Sequence, residues 1–293
     1  MDFVHLHVHS HYSLLDGLPK IPELISAAKE KGMSALALTD HGALYGAIEF
    51  YRAAKRNGIK PIIGIEAYLA PGNLSDKTSG THANYSHLLL LAKNLQGYHN
   101  LMELVTISNL EGFYYRPRID KATLKRLSSG LIALSGCLRG EVARALANQN
   151  YEAAKKAALE YQEIFGKEHY FLEIQRNSED SELTLANEGL VRLSRDTGIP
   201  LVATNDCHYL EEDDKSAQDI LVCIGTGKTV HDIDRLDMRR CNLSLRSAEE
   251  MSKIFADLPE ALENSVKIAA AVDLELALDK KHFPSFAVPE GYS

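Results

Sequence analysis

The stretch SALALTDHGALYGAIEFYRAAKRNGIKPIIGIEAYL, residues 34–69, decides the fold. It holds two short apolar runs, Ala35–Asp40 and Lys60–Leu69, on either side of a segment with a helical pattern. Short runs rich in Val, Ile, Leu or Tyr are typical of buried strands. The stretch therefore predicts a unit of two buried strands joined by a helix.

The same alternation continues along the chain. Amphipathic stripes predict further helices, for example at Ile21, Leu24, Ile25 and Ala28, with Gly32 marking the end of that helix. Seven strand–helix units in series predict an α/β fold whose parallel sheet closes, or nearly closes, into a barrel. The five further predicted strands are Phe3–His9, Ser86–Lys93, Gly130–Gly136, His169–Ile174 and Pro200–Asn205.

The C-terminal part departs from this alternation. A capping box at Ser247 predicts the start of one helix, and Pro259 predicts the start of another that runs to about Val272. The last residues, rich in Pro and without a helical or strand pattern, predict a linker over 283–293. We therefore expect one domain over residues 1–282, followed by that linker.

Composition excludes several classes of protein. The 293 residues are 45% hydrophobic and 25% charged, which permits a sizeable core and argues against disorder. No apolar run approaches the ~20 residues that span a bilayer, and the first residues lack the basic and apolar regions expected of a signal peptide. Four scattered cysteines argue against a disulfide framework, so we expect a cytoplasmic protein with no membrane partner. A net charge of −8 means that any contact with nucleic acid must be local.

Side chains that can bind metals concentrate at the predicted strand ends. His7 and His9 stand two apart in one strand, and Asp206 and His208 stand two apart after the last one, so each pair shares a face. In parallel strand–helix barrels the active site lies at the carboxyl ends of the strands. His87 departs from this placement because it opens its strand. The other candidates besides these two pairs are Asp16, His41, Glu66, His87 and Cys137.

These residue types indicate a class of metal site. A lone histidine is more often a packing residue than a ligand, but packing does not explain such a concentration. Imidazole, carboxylate and thiolate groups favour zinc, with manganese or iron as alternatives. Nine candidates are too many for one ion and predict up to three divalent ions, with Glu66 as a bridge. Such clusters serve phosphoester hydrolysis, in which one ion generates hydroxide and the others hold phosphate oxygens.

Several motifs resemble the PHP (polymerase and histidinol phosphatase) family. They are HLHVHS at 5–10, LTDHG at 38–42, GIEAY at 64–68, SGC at 135–137 and TNDCHY at 204–209. The sequence around these motifs is similar to that of the alpha subunits of bacterial DNA polymerase III. Examples are SLLDG at 13–17, LEGFYYRPRID at 110–120 and LIALSGCLRGE at 131–141. The resemblance covers almost the whole chain, to about Ala287.

The resemblance implies a distorted seven-stranded (β/α) barrel with a helical C-terminal extension and up to three metal ions. Carried over residue by residue, the ligands of the first ion are His7, His9, Glu66 and Asp206. Those of the second are Glu66, His87 and Cys137, and those of the third are Asp16, His41 and His208. Among these nine, the resemblance implies catalytic roles for Glu66, Asp206 and His9.

The resemblance also implies a function. Residues 1–282 would be a 3′–5′ exonuclease domain that removes nucleotides from a DNA 3′ end in proofreading, and residues 283–293 would lead to a polymerase core. Its partners would be the DNA 3′ end, the remainder of the alpha subunit and, through the full-length protein, an exonuclease subunit and a sliding clamp. Two alternatives stay open: a structural module that metals only hold together, and a stand-alone phosphatase for small molecules.

Five other residues lie near the candidate ligands. Arg116 and Arg118, in the YRPR loop, could hold a phosphate or a terminal nucleotide, and a solvated loop is the alternative. Asp40 and Asn205 precede candidate ligands and are predicted to orient them. Cys207 lies on the opposite face of its strand and is left out of the site.

Overall fold

Seven strands form one sheet in the computed structural model, which describes residues 2–14, 16–78, 84–281 and 283. The order across the sheet is β1-β2-β3-β5-β6-β7, and the two-residue β4 pairs with the end of β2. The bounds are β1 Ala35–Leu38, β2 Lys60–Leu69, β3 Ser86–Ala92, β4 Arg118–Ile119, β5 Leu131–Leu134, β6 Tyr170–Gln175 and β7 Leu201–Thr204. The α/β fold class is confirmed, although β4 was not predicted.

Helices cover the outside of this sheet. The apolar stripe of the first helix, Ile21, Leu24, Ile25 and Ala28, is buried, as its spacing predicts. Within the described ranges, none of the helices has the length and apolar character needed to cross a bilayer. The bounds are α1 Ile21–Glu30, α2 Ala47–Arg56, α3 Leu95–Leu110, α4 Lys121–Leu127, α5 Glu141–Ala147, α6 Tyr151–Phe165, α7 Ser181–Thr197, α8 Lys215–Thr226, α9 Ala248–Ile254 and α10 Pro259–Ala271.

The N-terminal segment joins the two edges of the sheet. Residues 3–9 were predicted as a strand, but their only regular pairing is a single bridge from Val8 to Cys207. On one side the backbone N–H of Thr39 donates to the carbonyl of Val8 at 2.9 Å, next to β1. On the other side the N–H of His9 donates to the carbonyl of Cys207 at 2.8 Å, just past β7. The sheet therefore curls enough for one extended segment to contact both of its edges.

Strand β3 corrects the prediction of an all-parallel sheet. It runs antiparallel to both β2 and β5, whereas the other pairings are parallel. A parallel pair needs a crossover connection, usually a helix, and the described residues between β2 and β3 contain no helix. The chain therefore turns back beside β2. The start of β3 consequently lies at the same edge of the sheet as the carboxyl ends of the other strands.

The C-terminal extension packs back onto the barrel. Ser247 caps α9 in a capping box with Glu250, and Pro259 opens α10, as predicted. Asn264 of α10 donates to the carbonyl of Leu201 at 2.7 Å, which attaches this helix to β7. The predicted linker over 283–293 falls outside the described residues except for position 283.

Candidate metal centre

All nine candidate ligands meet at one edge of the sheet. Glu66 lies at the centre, because His41 pairs with it in an isolated bridge after β1 and His87 faces it from the start of β3. The reversed direction of β3 explains why a residue that opens its strand joins residues that close theirs. Around Glu66 the structure places His7, His9, Asp16, His41, His87, Cys137, Asp206 and His208.

The first predicted ligand set forms a compact group of four donors. The Nε2 atoms of His7 and His9 lie 3.1 Å apart, and each lies close to Asp206 Oδ1, at 3.1 and 3.3 Å. The Glu66 carboxylate lies 3.5 Å from His7 Nε2 and 3.6 Å from His9 Nε2. Tetrahedral ligands at zinc-to-nitrogen bond lengths are about 3.4 Å apart. The four side chains therefore have the spacing that one such ion requires.

The second set shares Glu66 with the first. Its Oε1 atom lies 2.8 Å from His87 Nδ1 and 3.8 Å from Cys137 Sγ. The other oxygen, Oε2, lies 2.7 Å from Nδ1 of His41. Both carboxylate oxygens thus face several candidate ligands at once. This arrangement fits the bridging position that the sequence predicted for Glu66.

The third set lies beside the first. Asp16 Oδ1 is 3.3 Å from His41 Nε2 and 3.7 Å from His208 Nε2. The imidazole of His9 lies between the two histidines, with ring centroids 4.3 Å from each. Nitrogen atoms of His9, His41 and His208 also come within 4.8 Å of one another. The three sets therefore form one continuous cluster.

Hydrogen bonds on the far side of three rings fix which nitrogen faces the cluster. Ser13 Oγ donates its proton to Asp40, so His9 Nδ1 must donate to Ser13, at 2.9 Å. His208 Nδ1 donates to the carbonyl oxygen of Asp206 at 2.8 Å, and His7 Nδ1 contacts a carboxylate oxygen of Glu173 at 2.6 Å. An acceptor at Nδ1 leaves the Nε2 lone pair of a neutral imidazole free to bind a metal.

Several polar atoms of the cluster are buried without a hydrogen-bond partner in the part of the chain that the structure describes. They are Asp16 Oδ1, His41 Nδ1, His87 Nε2 and Asp206 Oδ1. All but His87 Nε2 lie within 3.3 Å of another candidate ligand but are not oriented to form a hydrogen bond with it. A buried polar atom without a partner costs about 1–3 kcal/mol, so such atoms are rare unless a ligand or ion satisfies them. Together with the spacing of the donors, these atoms make the site chemically suited to divalent cations.

The titration behaviour of the cluster is set by its buried opposite charges. Burial alone would raise the pKa of Glu66, but the neighbouring histidines outweigh it and hold this pKa well below its usual range. Burial alone would lower the pKa of His41, but the neighbouring groups Asp16, Tyr68 and Glu66 together outweigh it and raise this pKa. For His9, burial and the two adjacent histidines lower the pKa to about 3. Ionised carboxylates and a neutral His9 are the protonation states that metal ligands require, whereas an ion that binds at His41 must displace a proton.

A cavity of about 520 Å³ opens over the cluster. His7 and His9 are fully buried beneath it, whereas seven of the nine candidates line it. The segment that includes α8 and the loop after it supplies another part of the wall, with Leu236 and Arg240 among its residues. A phosphoester of modest size can therefore reach the second and third ligand sets. The seven lining candidates are Asp16, His41, Glu66, His87, Cys137, Asp206 and His208.

Asp206 has a strained backbone. Its φ is 56°, in the left-handed region that costs a residue other than glycine about 1–2 kcal/mol. Short polar side chains such as Asp tolerate this region best. Strain of this kind concentrates at functional sites. The turn after β7 therefore presents Asp206 to the cluster at a cost in stability.

The other residues predicted near the site divide into two groups. Arg116 lines the cavity and Asp40 acts on a candidate ligand, whereas Arg118, Asn205 and Cys207 do neither. Arg116 lines the cavity, but Arg118 is fully buried and donates to the carbonyl of Gly112, so its predicted role in holding a phosphate is wrong. Asp40 acts on His9 through Ser13, as described above. Asn205 donates instead to the backbone carbonyls of Asn242 and Ser244, and within the described residues it forms no hydrogen bond with a candidate ligand. Cys207 faces away from the cluster, towards the carbonyl of Ser244.

The sequence analysis missed Glu173 of β6. This side chain is buried and accepts hydrogen bonds from Gln175 and Thr204 besides its contact with His7. The signal was present, because a lone carboxylate inside an apolar strand must have a buried partner. Glu173 lies behind His7, where it orients the ring and makes it more basic.

Replacing Glu173 with glutamine should weaken metal binding at the first ligand set by about tenfold or more, because carboxylates behind a histidine ligand contribute about 10–100-fold to affinity. Competition of the protein with a fluorescent chelator for Zn²⁺ measures this affinity. Glu263→Gln, which removes an exposed carboxylate paired with Lys267 on α10, is the matched control. Equal Zn²⁺ affinity in the two variants would remove Glu173 from the site.

Known proteins resemble this chain over nearly its whole length. The model of the PHP domain family matches residues 5–177. The DNA polymerase III subunit alpha of Borreliella burgdorferi is 50% identical over 289 residues, which are 98% of this chain and 25% of that protein. The same subunit of Helicobacter pylori is 45% identical and that of Treponema pallidum 42%, over 99% and 100% of this chain. The chain spans about a quarter of the length of each of these relatives.

Proposed function

The chain belongs to the PHP domain family, and from this premise we propose that its cluster is a multinuclear metal site that hydrolyses phosphodiester bonds. The substrate in this proposal is the 3′ end of DNA, from which the domain removes nucleotides one at a time. The domain would belong to the alpha subunit of a bacterial DNA polymerase III and act there as a proofreading 3′–5′ exonuclease.

One observation carries the proposal. All nine ligand-type side chains are present, they meet around Glu66, and seven of them line an open cavity. A cluster that served packing alone would not need buried carboxylate and imidazole atoms without hydrogen-bond partners. Nor would it need an open cavity of about 520 Å³ above it. A complete and accessible set of ligands is what a hydrolytic site needs.

The residues have different tasks in this proposal. Divalent ions, zinc first and manganese or iron as alternatives, would supply the Lewis acidity that phosphoester hydrolysis requires. His7, His9, Glu66 and Asp206 would hold the most deeply buried ion. The sets containing His87 and Cys137, and Asp16, His41 and His208, face the cavity and would hold the ions that the substrate approaches. Glu66 would supply negative charge to two of these positions at once.

The relatives supply the context of the proposal. They are about four times as long as this chain, and the proposal places the polymerase core and the contacts with other replication proteins in the remaining length. A domain with a net charge of −8 repels DNA as a whole and binds it poorly unless positive groups attract it locally. The remainder of the alpha subunit would therefore deliver the DNA 3′ end to the cavity, and an exonuclease subunit and a sliding clamp would be partners of the whole protein.

The proposal is tested with the purified chain, loaded with Zn²⁺ or Mn²⁺, and single-stranded DNA labelled at its 3′ end. We expect release of labelled mononucleotide that stops on chelation and returns when metal is restored. Metal analysis of the same preparation gives the number of ions bound. Bound ions without any release of nucleotide would contradict the catalytic proposal.

A structural metal site is the second candidate. It is favoured by the complete burial of His7 and His9, since an enclosed ion resembles those that hold small domains together. In this alternative the metals stabilise the barrel, which then docks the polymerase core and partner subunits. Both candidates expect chelation to lower stability. Only the nuclease assay therefore separates them, because the structural candidate expects no release of nucleotide.

A further inference from the structure

Three arginines line the cavity, and among the described residues none of them has a carboxylate partner. They are Arg116, Arg139 and Arg240. The same cavity contains Asp16, Glu66 and Asp206, yet the guanidinium groups make no ion pair with these or with other acidic side chains of the described chain. Elsewhere in the protein, arginines such as Arg235 form bidentate pairs with carboxylates. The arginines of the cavity are therefore available to an anion that enters it.

Arg116 is presented to the cavity by a strained turn. The preceding Tyr115 has a φ of 59°, and a bulky aromatic residue in the left-handed region is an outlier. The backbone N–H of Tyr114 donates to the carbonyl of Arg116 at 3.1 Å and closes the turn. Backbone strain on a non-glycine residue persists only where the surroundings hold it. Here the guanidinium of Arg116 lies over the ring of Tyr68, 5.9 Å from its centroid.

Arg139 reaches the same aromatic wall. Its Nη1 atom donates to the hydroxyl of Tyr85 at 3.4 Å. The ring of Tyr85 stacks on His87, with centroids 5.7 Å apart and planes 10° apart, and packs edge-on against Tyr68 at 5.1 Å. Two tyrosine rings therefore lie next to the metal cluster, with an arginine at each ring.

We propose that Arg116 and Arg139 bind the phosphate groups of a single-stranded DNA terminus that enters the cavity, and so determine the preference of the site for polynucleotides. This inference rests on the proposed function. Arginine guanidinium groups bind phosphate oxygens through paired charge-assisted hydrogen bonds. Positive side chains interleaved with aromatic rings are the recurring composition of single-strand binding grooves.

The charge of the molecule gives these two residues a large share of the binding. With a net charge of −8, the surface as a whole repels DNA, so attraction must come from local groups. The cavity of about 520 Å³ has room for few nucleotides, which limits the number of phosphates held at one time. Each arginine should therefore account for about one phosphate contact, and the loss of either should be measurable.

The test measures binding, which does not require hydrolysis. The probe is a short fluorescein-labelled oligothymidylate with phosphorothioate linkages, and the metal-loaded chain is titrated into it while anisotropy is followed. Arg116→Ala and Arg139→Ala should each weaken binding by about tenfold, the effect of one charge-assisted hydrogen bond. Each should also reduce the slope of log affinity against log salt by about 0.7, the value for one phosphate contact on a single strand.

Three comparisons make the test decisive. Arg52→Ala, which removes an exposed arginine from α2, should bind the oligothymidylate like the unchanged protein. Arg116→Lys should recover part of the lost affinity, because it keeps the charge but not the fork of donors. Each alanine substitution should weaken the binding of an oligoadenylate by the same factor as the binding of the oligothymidylate, since phosphate contacts do not distinguish bases.

Wild-type affinity and salt dependence in both alanine variants would overturn the inference, even if the protein hydrolyses DNA. A loss of affinity confined to one base sequence would overturn it as well, because that result indicates base contacts. If no hydrolysis is seen but both variants bind the oligonucleotide more weakly, the proposed function fails and the arginine contacts stand.

Discussion

Glu66→Gln should lower the rate of nucleotide release by about 10²-fold or more and leave the barrel folded. The substitution keeps the size of the side chain and removes the charge that faces His7, His41 and His87. If Glu66 bridges two ions, its loss displaces both and forfeits several kcal/mol of transition-state stabilisation. The measurement is release of 3′-labelled nucleotide from single-stranded DNA in Mn²⁺ or Zn²⁺.

Two controls separate this loss from unfolding and from contamination. Circular dichroism should give the same spectrum for the variant and the unchanged protein. Glu103→Gln, which removes an exposed carboxylate paired with Arg126, should retain full activity. If Glu66→Gln and the unchanged protein release nucleotide at the same rate, the activity belongs to a contaminating nuclease and the structural candidate is preferred.

Metal removal should lower the midpoint of thermal unfolding by about 6 °C or more. An ion that binds only the folded barrel, present at about 1,000 times its dissociation constant, stabilises it by about 4 kcal/mol. For a chain of 293 residues, an unfolding entropy of about 2.1 cal/mol/K per residue means that 1 kcal/mol moves the midpoint by about 1.6 °C. Chelation also leaves the buried carboxylates around Glu66 without their cations. Near-ultraviolet circular dichroism, recorded at one fixed scan rate with and without chelator, measures the shift.

Asp206→Asn is the variant that assigns the shift to this site. It is close in size to the natural side chain but removes one charged candidate ligand of the first set, so chelation should lower its midpoint by several degrees less. A matched substitution away from the cluster, Asp257→Asn, removes an exposed partner of Arg176 and should respond to chelator like the unchanged protein. Equal shifts in Asp206→Asn and the unchanged protein would mean that the chelator acts elsewhere.

Some features of the site followed from the sequence because they depend on local rules. The period of two along an extended segment puts His7 and His9 on one face, and the strand-end rule gathered most of the other candidates at one edge. His87 needed the fold, since only the reversal of β3 brings the start of that strand to this edge. Glu173 likewise acquires its role from a contact with a residue 166 positions away.

The two arginines of the YRPR loop show most clearly what could not be predicted from the sequence. Arg116 and Arg118 have the same chemistry and stand two residues apart, so the sequence gives no reason to distinguish them. In the structure a turn at Tyr115 directs Arg116 to the cavity, while Arg118 is enclosed beneath carbonyls of Gly112 and Asp76. Which one meets solvent depends on neighbours from distant parts of the chain.

The sequence by itself determined the α/β class, the alternation of strands and helices and the types of side chain available to bind metals. These follow from periodicity and residue chemistry, which act over a few neighbouring positions. Only the tertiary structure decided the direction of β3, the use of residues 3–9 to join the two edges of the sheet, and the spacing of the donors around Glu66. The reason is that strand partners and donor distances are fixed by packing between segments that are remote in the sequence.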